Sequence, residues 1–361
     1  MKYQIAVLPG DGVGPEVVAE SVKVLQALST AFPSLKLSFQ EHPAGANCYL
    51  QQGTDLPDAT LEACREADAV LFGSAGDPNV RFKDGTEIAP QLTLRFLLDL
   101  YAGIRPIRTF PGVPALLAGN PPIDYVIIRE NTEGLYSGIE NQVTPGVVMS
   151  MKVATETACD RIARFGFRFA DLRGRKKVTV FHKANIMKLT DGLFLRCARQ
   201  VHKAEYPNIE YEEVIIDAGC MKLVQDPSQF DVLLLENLYG DVVSDLCAGQ
   251  VGGLGVVPGA NIGEELAVFE AVHGSAPDIA GQGVANPLAL TMSSVMMLNH
   301  IAETRNDTAC REAGGRIKEA YNRALADGCL TRDLGGDLGT TDFATALIER
   351  IERIEPIEDM S

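Results

Sequence analysis

Short apolar, β-branched runs alternate along the chain with longer helical patterns, and this alternation is the feature that most constrains the fold. The strand-like runs are residues 5–8, 69–72, 125–128, 178–181, 214–216 and 232–235. Helical patterns follow two of them, over residues 15–28 and 186–206. Strands that alternate with helices indicate an α/β fold with a largely parallel sheet.

The length of the chain predicts more than one domain. It has 361 residues, which at roughly 150 residues per domain corresponds to about two domains. No segment is rich enough in Pro, Gly or Ser to mark a linker, so the sequence is compatible with domains built from separate parts of the chain.

The charge balance excludes some partners. Asp and Glu number 48 against 32 Lys and Arg, a formal net charge of −16, which repels nucleic-acid phosphates and anionic lipid. We therefore expect neither nucleic acid nor a membrane as a partner. A small anionic substrate would need arginines, lysines or a metal ion gathered at its site. The eight cysteines form no Cys-x-x-Cys pair and the chain begins without an apolar leader, so we expect reduced thiols and a cytoplasmic location.

A glycine loop follows the first strand-like run. Its sequence, Gly10-Asp11-Gly12-Val13-Gly14-Pro15-Glu16, has Gly-x-Gly-x-Gly spacing rather than the Gly-x-Gly-x-x-Gly of dinucleotide-binding turns. An acidic residue at this position would also face a pyrophosphate. The loop is therefore interpreted as a structural turn near a site.

Two carboxylates lie four residues apart at a predicted helix start. Asp241 and Asp245 follow the run 232–235, so a helix would place them on one face with Cβ atoms about 5–6 Å apart. Such a pair favours a divalent cation of the Mg²⁺ or Mn²⁺ type, although two acids near a helix N-terminus also interact favourably with the helix dipole. Asp217, after the run 214–216, is a possible third ligand.

The basic residues next to strand-like runs are candidates for binding an anion. Arg95, Arg105 and Arg129 fit either structural ion pairs or a carboxylate-binding site. Lys183 follows a strand and is a candidate proton shuttle. Tyr136 is a candidate acid, with simple packing as the alternative.

Five motifs together resemble one family along essentially the whole chain. They are LPGDGVGPE at 8–16, RENTEGLYSGIE at 129–140, HKANIMK at 182–188, NLYGDVVSD at 237–245 and VHGSAPDIAG at 272–281. The sequence resembles the metal-dependent β-decarboxylating dehydrogenases of isocitrate, 3-isopropylmalate, homoisocitrate and tartrate. The body of the chain is most similar to the NAD-dependent isocitrate dehydrogenases.

The resemblance implies an isopropylmalate-dehydrogenase-like fold with a shared twisted sheet, not a Rossmann fold. It implies a cofactor-binding domain formed by residues 1–99 and 252–361, and a central domain of residues 100–251 that carries the dimer interface. In the implied homodimer, Lys183 and Asp217 reach into the site of the partner subunit.

The resemblance also implies the roles of the site residues. Arg95, Arg105 and Arg129 would hold the carboxylates of a hydroxy-acid substrate, while Asp241, Asp245 and the partner's Asp217 would hold Mg²⁺ or Mn²⁺. Lys183 would take the proton of the substrate hydroxyl and Tyr136 would protonate the product carbon.

A second set of residues is implied to bind NAD. It comprises Glu270, His273, Gly274, Ser275, Ala276, Asp278 and Asn286. Asp278 predicts NAD over NADP, because at 4 Å its repulsion of a 2′-phosphate is roughly 4 kcal/mol per charge pair at an effective dielectric of 20.

The substrate-specificity segment departs from the family pattern. Isocitrate enzymes show Ser-x-Asn-x-x-x-Arg, and here Ala89 and Gln91 stand before Arg95. Isocitrate is the expected substrate, and an analogue such as 3-isopropylmalate, homoisocitrate, 3-phosphonomethylmalate or tartrate is the alternative. A third alternative, a non-catalytic regulatory subunit, predicts a broken site, whereas the candidate catalytic and metal-binding residues are all present.

Overall fold

A computed structural model describes residues 2–114, 116–117 and 121–353 of the protein. The strands are β1 Lys2–Gly10, β2 Lys36–Glu41, β3 Ala69–Ser74, β4 Ala102–Arg108, β5 Asp124–Glu130, β6 Glu140–Thr144, β7 Val147–Ser150, β8 Lys177–His182, β9 Glu210–Ile215, β10 Val232–Leu235, β11 Pro258–Ile262 and β12 Ala267–Ala271. The helices are α1 Gly14–Ala31, α2 Ala46–Gln52, α3 Asp58–Glu66, α4 Pro90–Leu97, α5 Glu156–Leu172, α6 Thr190–Glu205, α7 Ile216–Gln225, α8 Asn237–Val251, α9 Leu288–Arg305, α10 Thr308–Ala326 and α11 Thr340–Arg353.

Ten of the strands form one sheet in the order β2-β1-β3-β12-β11-β4-β5-β10-β8-β9. The strands β2, β1, β3 and β12 are mutually parallel, as are β5, β10, β8 and β9. Three successive antiparallel pairings join β12 to β5 through β11 and β4. The two parallel blocks therefore run in opposite directions.

The predicted α/β fold is confirmed, and so is the exclusion of a Rossmann fold, whose mostly parallel sheet does not contain two parallel blocks of opposite direction. The antiparallel centre was not predicted. It arises in part because only residues 263–266 connect β11 to β12, and a connection this short joins antiparallel strands.

Helices cover both faces of the sheet. One group, α1, α9, α10 and α11, packs together, and α5 packs on α6. All residues of β3 and β10 are buried, as expected for parallel strands covered on both faces. In the described part of the chain, no helix is both long and apolar enough to cross a membrane.

Two predicted element boundaries shift in the structure. The helix predicted from residue 186 begins at Thr190, because the amides of Ile186 and Met187 close a turn on the Lys183 carbonyl. The strand predicted over 214–216 ends at Ile215, and the next residue begins α7. Asp217 therefore lies in the first turn of a helix, where the helix dipole favours a carboxylate.

The predicted domain division at residues 99/100 and 251/252 stays a prediction, since one continuous sheet runs through both parts. Strands from the two ends of the chain lie side by side in it, with β12 paired to β3. Outside this sheet, β6 and β7 form a separate antiparallel hairpin whose residues are all exposed.

Candidate active site

Three buried arginines from separate elements form the centre of the site. Arg95 lies in the last turn of α4, Arg105 in β4 and Arg129 near the end of β5, and their exposed fractions are 7%, 8% and 1%. Burial and the repulsion of Arg129 and Arg95 lower the pKa of Arg105 to about 9. The nearby carboxylates of Asp241 and Glu270 do not cancel this lowering of the Arg105 pKa, so the site is suited to an anionic ligand.

Helix α8 approaches Arg129 closely. The Nε and Nη2 atoms of Arg129 donate hydrogen bonds of 3.0 and 2.7 Å to Asn237 Oδ1, and Nη1 contacts Asp241. This approach depends on Gly240, where an added Cβ would lie 2.5 Å from Arg129 Cγ. A glycine is therefore required where the helix crosses the guanidinium.

The Asp241 carboxylate interacts with three side chains. Tyr136 donates a hydrogen bond of 2.6 Å to Asp241 Oδ2, while Arg129 contacts Oδ1 and Arg105 Nη1 lies 3.7 Å from it. Burial alone would raise the pKa of Asp241, but the two arginines and the Tyr136 hydroxyl lower it by more. The net pKa is below its usual value, and the carboxylate is ionised. Burial and the hydrogen bond to Asp241 raise the pKa of Tyr136, which stays protonated.

Asp245 lies on the same face of α8, as the sequence predicts, because Arg105 Nη1 also lies 4.0 Å from its carboxylate. Burial raises the pKa of Asp245, and the neighbouring Asp241 raises it further, against the opposing effect of Arg105. The described residues contain no group of three or more His, Cys, Asp or Glu side chains placed to hold a metal ion. Two carboxylates are suitable ligands for a hard divalent cation, but its remaining oxygen ligands would have to come from outside this chain.

A polar network ties Arg95 to the strand that precedes the predicted cofactor segment. Arg95 Nη2 donates a hydrogen bond of 2.7 Å to Glu270 Oε1, which also accepts one of 2.7 Å from Asn261 Nδ2. Asn131 Nδ2 in turn donates to Asn261 Oδ1 at 2.8 Å. Predicted substrate-binding and cofactor-binding residues are thus in direct contact.

Lys183 and Asp217 form a separate pair. Lys183 Nζ lies 2.5 Å from Asp217 Oδ1, and the Lys183 amide donates to Asp191 Oδ2 at 2.6 Å. No hydrogen bond or ion pair between described residues joins this pair to the arginine cluster or to Asp241. The structure of one chain therefore does not bring all the predicted metal-binding and catalytic residues together.

The predicted cofactor segment packs against the first glycine loop. The carbonyl of Ser275 accepts a hydrogen bond of 2.8 Å from Val13 N, and a Cβ on Gly12 would lie less than 2.5 Å from that carbonyl. Ala276 has a φ of 38°, a left-handed conformation that is rare for alanine and costs energy. The loop is a structural turn, as predicted, and the Asp11 carboxylate accepts hydrogen bonds from the amides of Ala46, Asn47 and Gly76.

His273 leaves a buried polar atom without a protein partner. Its Nδ1 lies 3.0 Å from the carbonyl of Gly274, while Nε2 is buried and has no hydrogen bond within the described chain. Burial lowers the pKa of His273, so the ring is neutral at pH 7 and Nε2 can accept from a ligand. This orphaned atom fits a cofactor on the segment.

The two other predicted cofactor residues differ in their surroundings. Asp278 is exposed, and its side chain makes no hydrogen bond or ion pair with the rest of the described chain. The Asn286 amide is already used, because Nδ2 donates to Asp333 at 3.0 Å and Oδ1 accepts from Leu288 N at 2.9 Å. Its predicted position near an adenine stays a prediction.

Ala89 and Gln91 lie at the start of α4, and Gln91 is one helical turn from Arg95 on the same face. Gln91 Oε1 is buried without a hydrogen-bond partner among the described residues. A buried amide oxygen of this kind is expected to accept a hydrogen bond from a ligand or water, while the amide Nε2 remains a donor. Ala89, partly buried, supplies no side-chain hydrogen bond.

Four site residues were not singled out in the sequence. Asn237 and Ser244 lie inside a recognised motif and contact Arg129 and Arg105. Asn131 lies in the motif that contains Arg129, so the motif could have indicated it as a site residue. Asn261 had no local signal in the sequence, because its role depends on the pairing of distant strands.

These features define an α/β protein with a cluster of three buried arginines beside paired aspartates. A family model described as isocitrate/isopropylmalate dehydrogenase matches residues 4–347, so the chain belongs to the isocitrate/isopropylmalate dehydrogenase family.

Similar proteins carry two different substrate names. The chain is 44% identical over 353 residues to the 3-isopropylmalate/3-methylmalate dehydrogenase of Methanocaldococcus jannaschii, covering 97% of this chain and 99% of the relative. It is 45% identical over 345 residues to a mitochondrial NAD isocitrate dehydrogenase catalytic subunit of Arabidopsis thaliana, covering 95% and 87%. The isocitrate dehydrogenase structure from Methylococcus capsulatus matches with a TM-score of 0.88 at 41% identity, covering 97% of this chain and all of that one.

Proposed function

We propose that this protein catalyses the NAD-dependent oxidative decarboxylation of a 3-substituted malate. The observation that carries the proposal is the cluster of three buried arginines beside Asp241 and Asp245. In the ligand-free chain these arginines pair with Glu270, Asp241 and Asp245. The carboxylates of a substrate would become their partners once Asp241 and Asp245 hold a divalent cation. The family membership makes the chain a dehydrogenase. The substrate class, the cofactor and the decarboxylation are part of our proposal.

Each polar residue of the site has a task in this reaction. The arginines hold the substrate carboxylates by charge-assisted hydrogen bonds and fix the orientation of the hydroxyl. Lys183 of the partner subunit removes the proton of the substrate hydroxyl, and Tyr136, which is kept protonated, supplies a proton to the carbon that loses CO₂. Asp241 holds the Tyr136 hydroxyl in place by its hydrogen bond.

Two groups from outside the chain complete the proposed reaction. Asp241 and Asp245, with Asp217 of the partner subunit, would hold Mg²⁺ or Mn²⁺, which polarises the substrate hydroxyl and carboxylate when bound. The segment around His273 and Asp278 would hold NAD, which accepts the hydride. The free carboxylate of Asp278 supports NAD over NADP, since it can accept from ribose hydroxyls but repels a 2′-phosphate.

Isocitrate is the substrate we favour. The supporting observation is the Gln91 amide one turn from Arg95, because its Nε2 group can donate a hydrogen bond to a third carboxylate, whereas an isopropyl group would leave the buried amide unpaired. Ala89 lacks the hydroxyl of the usual isocitrate pattern. The alternative is therefore an isocitrate analogue, such as 3-isopropylmalate, homoisocitrate, 3-phosphonomethylmalate or tartrate.

We further propose a homodimer with sites shared between subunits. The hairpin of β6 and β7 exposes Val143, Val147, Val148 and Met149, an apolar surface suited to a second copy. Lys183 and Asp217 contact each other rather than Asp241, which supports their delivery to the site of the partner. The contact of Tyr136 with Asp241 favours a catalytic chain over a regulatory subunit.

Initial rates of NAD reduction with Mn²⁺ test the proposal. The substrates are isocitrate, 3-isopropylmalate, homoisocitrate, malate, tartrate and 3-phosphonomethylmalate, each also measured with NADP. We expect the highest kcat/KM with isocitrate and NAD. A dominant rate with another member would transfer the reaction to that analogue, and rates at background with all six would contradict it.

A further inference from the structure

A cavity lies on the opposite face of the sheet centre from the arginine cluster. Its volume is about 460 Å³, within the usual range for small-molecule sites. The strands β4, β11 and β12 form its floor, and the helices α5 and α9 form its two walls. No residue proposed above for substrate, metal or NAD lines it.

Because strands are pleated, each of these three strands turns one face toward the cavity and the other toward the arginine cluster. In β4, Ile104 lines the cavity while Arg105 lies in the arginine cluster. In β12, Phe269 lines the cavity while Glu270 accepts from Arg95. Successive side chains of a strand point to opposite faces, so the cavity floor and the active site share one backbone.

The cavity is rich in rings. Phe165 and Phe169 come from α5, Phe269 from β12 and His300 from α9, with Tyr101 at one end. The Phe269 and His300 rings lie 5.6 Å apart, and burial lowers the pKa of His300, so this imidazole is neutral at pH 7. Such a lining favours a flat aromatic molecule.

The rim carries two arginines and two glutamates, and one of the arginines has no ion pair among the described residues. Arg173 pairs with Glu303 at 2.6 Å across the mouth. Arg168 is exposed and lies over the Phe165 ring at 5.7 Å, and no acidic side chain in the described part of the chain forms an ion pair with it. The remaining acid, Glu264, interacts with the Tyr101 phenol. An anionic group on the ligand would therefore find its partner at Arg168.

From this lining and this charge, we propose that the cavity is a binding site for a small aromatic carboxylate. The aromatic body lies among Phe165, Phe169 and Phe269, and the carboxylate contacts Arg168. Because the floor strands also carry Arg105 and Glu270, occupancy alters the substrate affinity of the active site without blocking it.

Calorimetric titration of the full-length protein with 4-phenylbutyrate tests binding without relying on the proposed reaction. We expect saturable binding that persists with excess isocitrate and Mn²⁺, and that is at least about tenfold weaker for the uncharged 4-phenylbutanol. Displacement by isocitrate would mean that the probe occupies the arginine cluster, and equal affinity for the alcohol would remove Arg168 as its partner. Either result overturns the proposal.

Three variants locate the site. Arg168→Gln should weaken 4-phenylbutyrate binding by about tenfold or more, and Met296→Trp, which fills the cavity from α9, should abolish it. Arg196→Gln is the matched control, since Arg196 is an exposed arginine on α6 that does not line the cavity. Melting temperatures identify any variant that fails to fold. Unchanged binding in Arg168→Gln, or a loss equal to that in Arg196→Gln, overturns the proposal even if Met296→Trp is unstable.

An activity measurement tests the coupling between the cavity and the active site. Of these experiments, it is the one that depends on the proposed function. With isocitrate as substrate, 4-phenylbutyrate should shift the apparent KM of the wild type to a limiting value that further 4-phenylbutyrate does not change. The change should be absent in Arg168→Gln. A purely competitive effect would overturn the coupling, while the absence of any turnover would count against the proposed reaction and leave the calorimetric result standing.

Discussion

Tyr136 donates a hydrogen bond of 2.6 Å to Asp241, whose other carboxylate oxygen contacts Arg129. The guanidinium carbon of Arg129 also lies 5.0 Å from the centre of the Tyr136 ring. The proposed proton donor, the proposed metal ligand and one substrate-binding arginine therefore form a single contacting unit.

Replacing Tyr136 by Phe should remove the proton donor and keep the ring in place. We expect kcat to fall by about 10²–10⁴-fold, the usual contribution of a general acid, with Mn²⁺ affinity nearly unchanged. Steady-state kinetics and paramagnetic resonance of bound Mn²⁺ measure the two effects. The control is Tyr211→Phe, which loses a 2.6 Å bond to Glu213 far along the sheet in β9. Equal kcat values in the two variants would contradict the assignment.

Replacing Arg105 by Met should stabilise the ligand-free protein while impairing function. Burial and two neighbouring arginines lower the pKa of Arg105, which means that its charge opposes folding. An apolar side chain of similar length should raise the free energy of unfolding by about 1–4 kcal/mol and raise the substrate KM by at least tenfold. Denaturant unfolding and kinetics test this, with Arg65→Met, an exposed arginine on α3, as control. A large loss of stability in Arg105→Met would contradict the account.

Replacing Gly240 by Ala should displace Arg129. The new Cβ would lie 2.5 Å from Arg129 Cγ, so we expect a loss of about 1–3 kcal/mol in stability and a raised substrate KM. Gly249→Ala on the same helix meets no atom within 4 Å and should stabilise the protein by up to about 1 kcal/mol. Similar effects of the two substitutions would show that Gly240 has no special contact with Arg129.

Replacing Gln91 by Leu should shift the substrate preference. The substitution removes the amide one turn from Arg95, so kcat/KM should fall by about tenfold for isocitrate and rise for 3-isopropylmalate. The ratio of the two kcat/KM values is the measurement, and Thr93→Val, an exposed position on α4, is the control. An unchanged ratio would remove Gln91 from substrate selection.

Mixing two inactive variants should restore activity if the sites are shared. Lys183→Met and Asp241→Asn each damage every site of their own homodimer. Random reassociation gives half heterodimers with one intact site each, so we expect about a quarter of wild-type activity. Activity no higher than that of the separate variants, with heterodimers present by native mass spectrometry, would mean that each chain builds its own site.

The sequence was sufficient for the fold class and for the arginine and aspartate cluster, because each of these residues adjoins a strong strand or helix signal. The i, i+4 spacing of Asp241 and Asp245 placed them on one helix face, and Arg105 contacts both. The antiparallel centre and the role of Asn261 could not be predicted in this way, since both depend on pairing between strands far apart in the chain. The roles of Lys183 and Asp217 stay predictions, because within one chain these residues contact each other and not the arginine cluster.

The central claim, oxidation coupled to decarboxylation, is tested most directly by the stoichiometry of the products. The protein is incubated with Mn²⁺, NAD and isocitrate labelled in the carboxylate that is lost, and labelled CO₂ and NADH are counted over the same interval. We predict one CO₂ for each NADH. Formation of NADH without CO₂ would contradict the account, and so would the absence of both products with isocitrate and with every 3-substituted analogue named above.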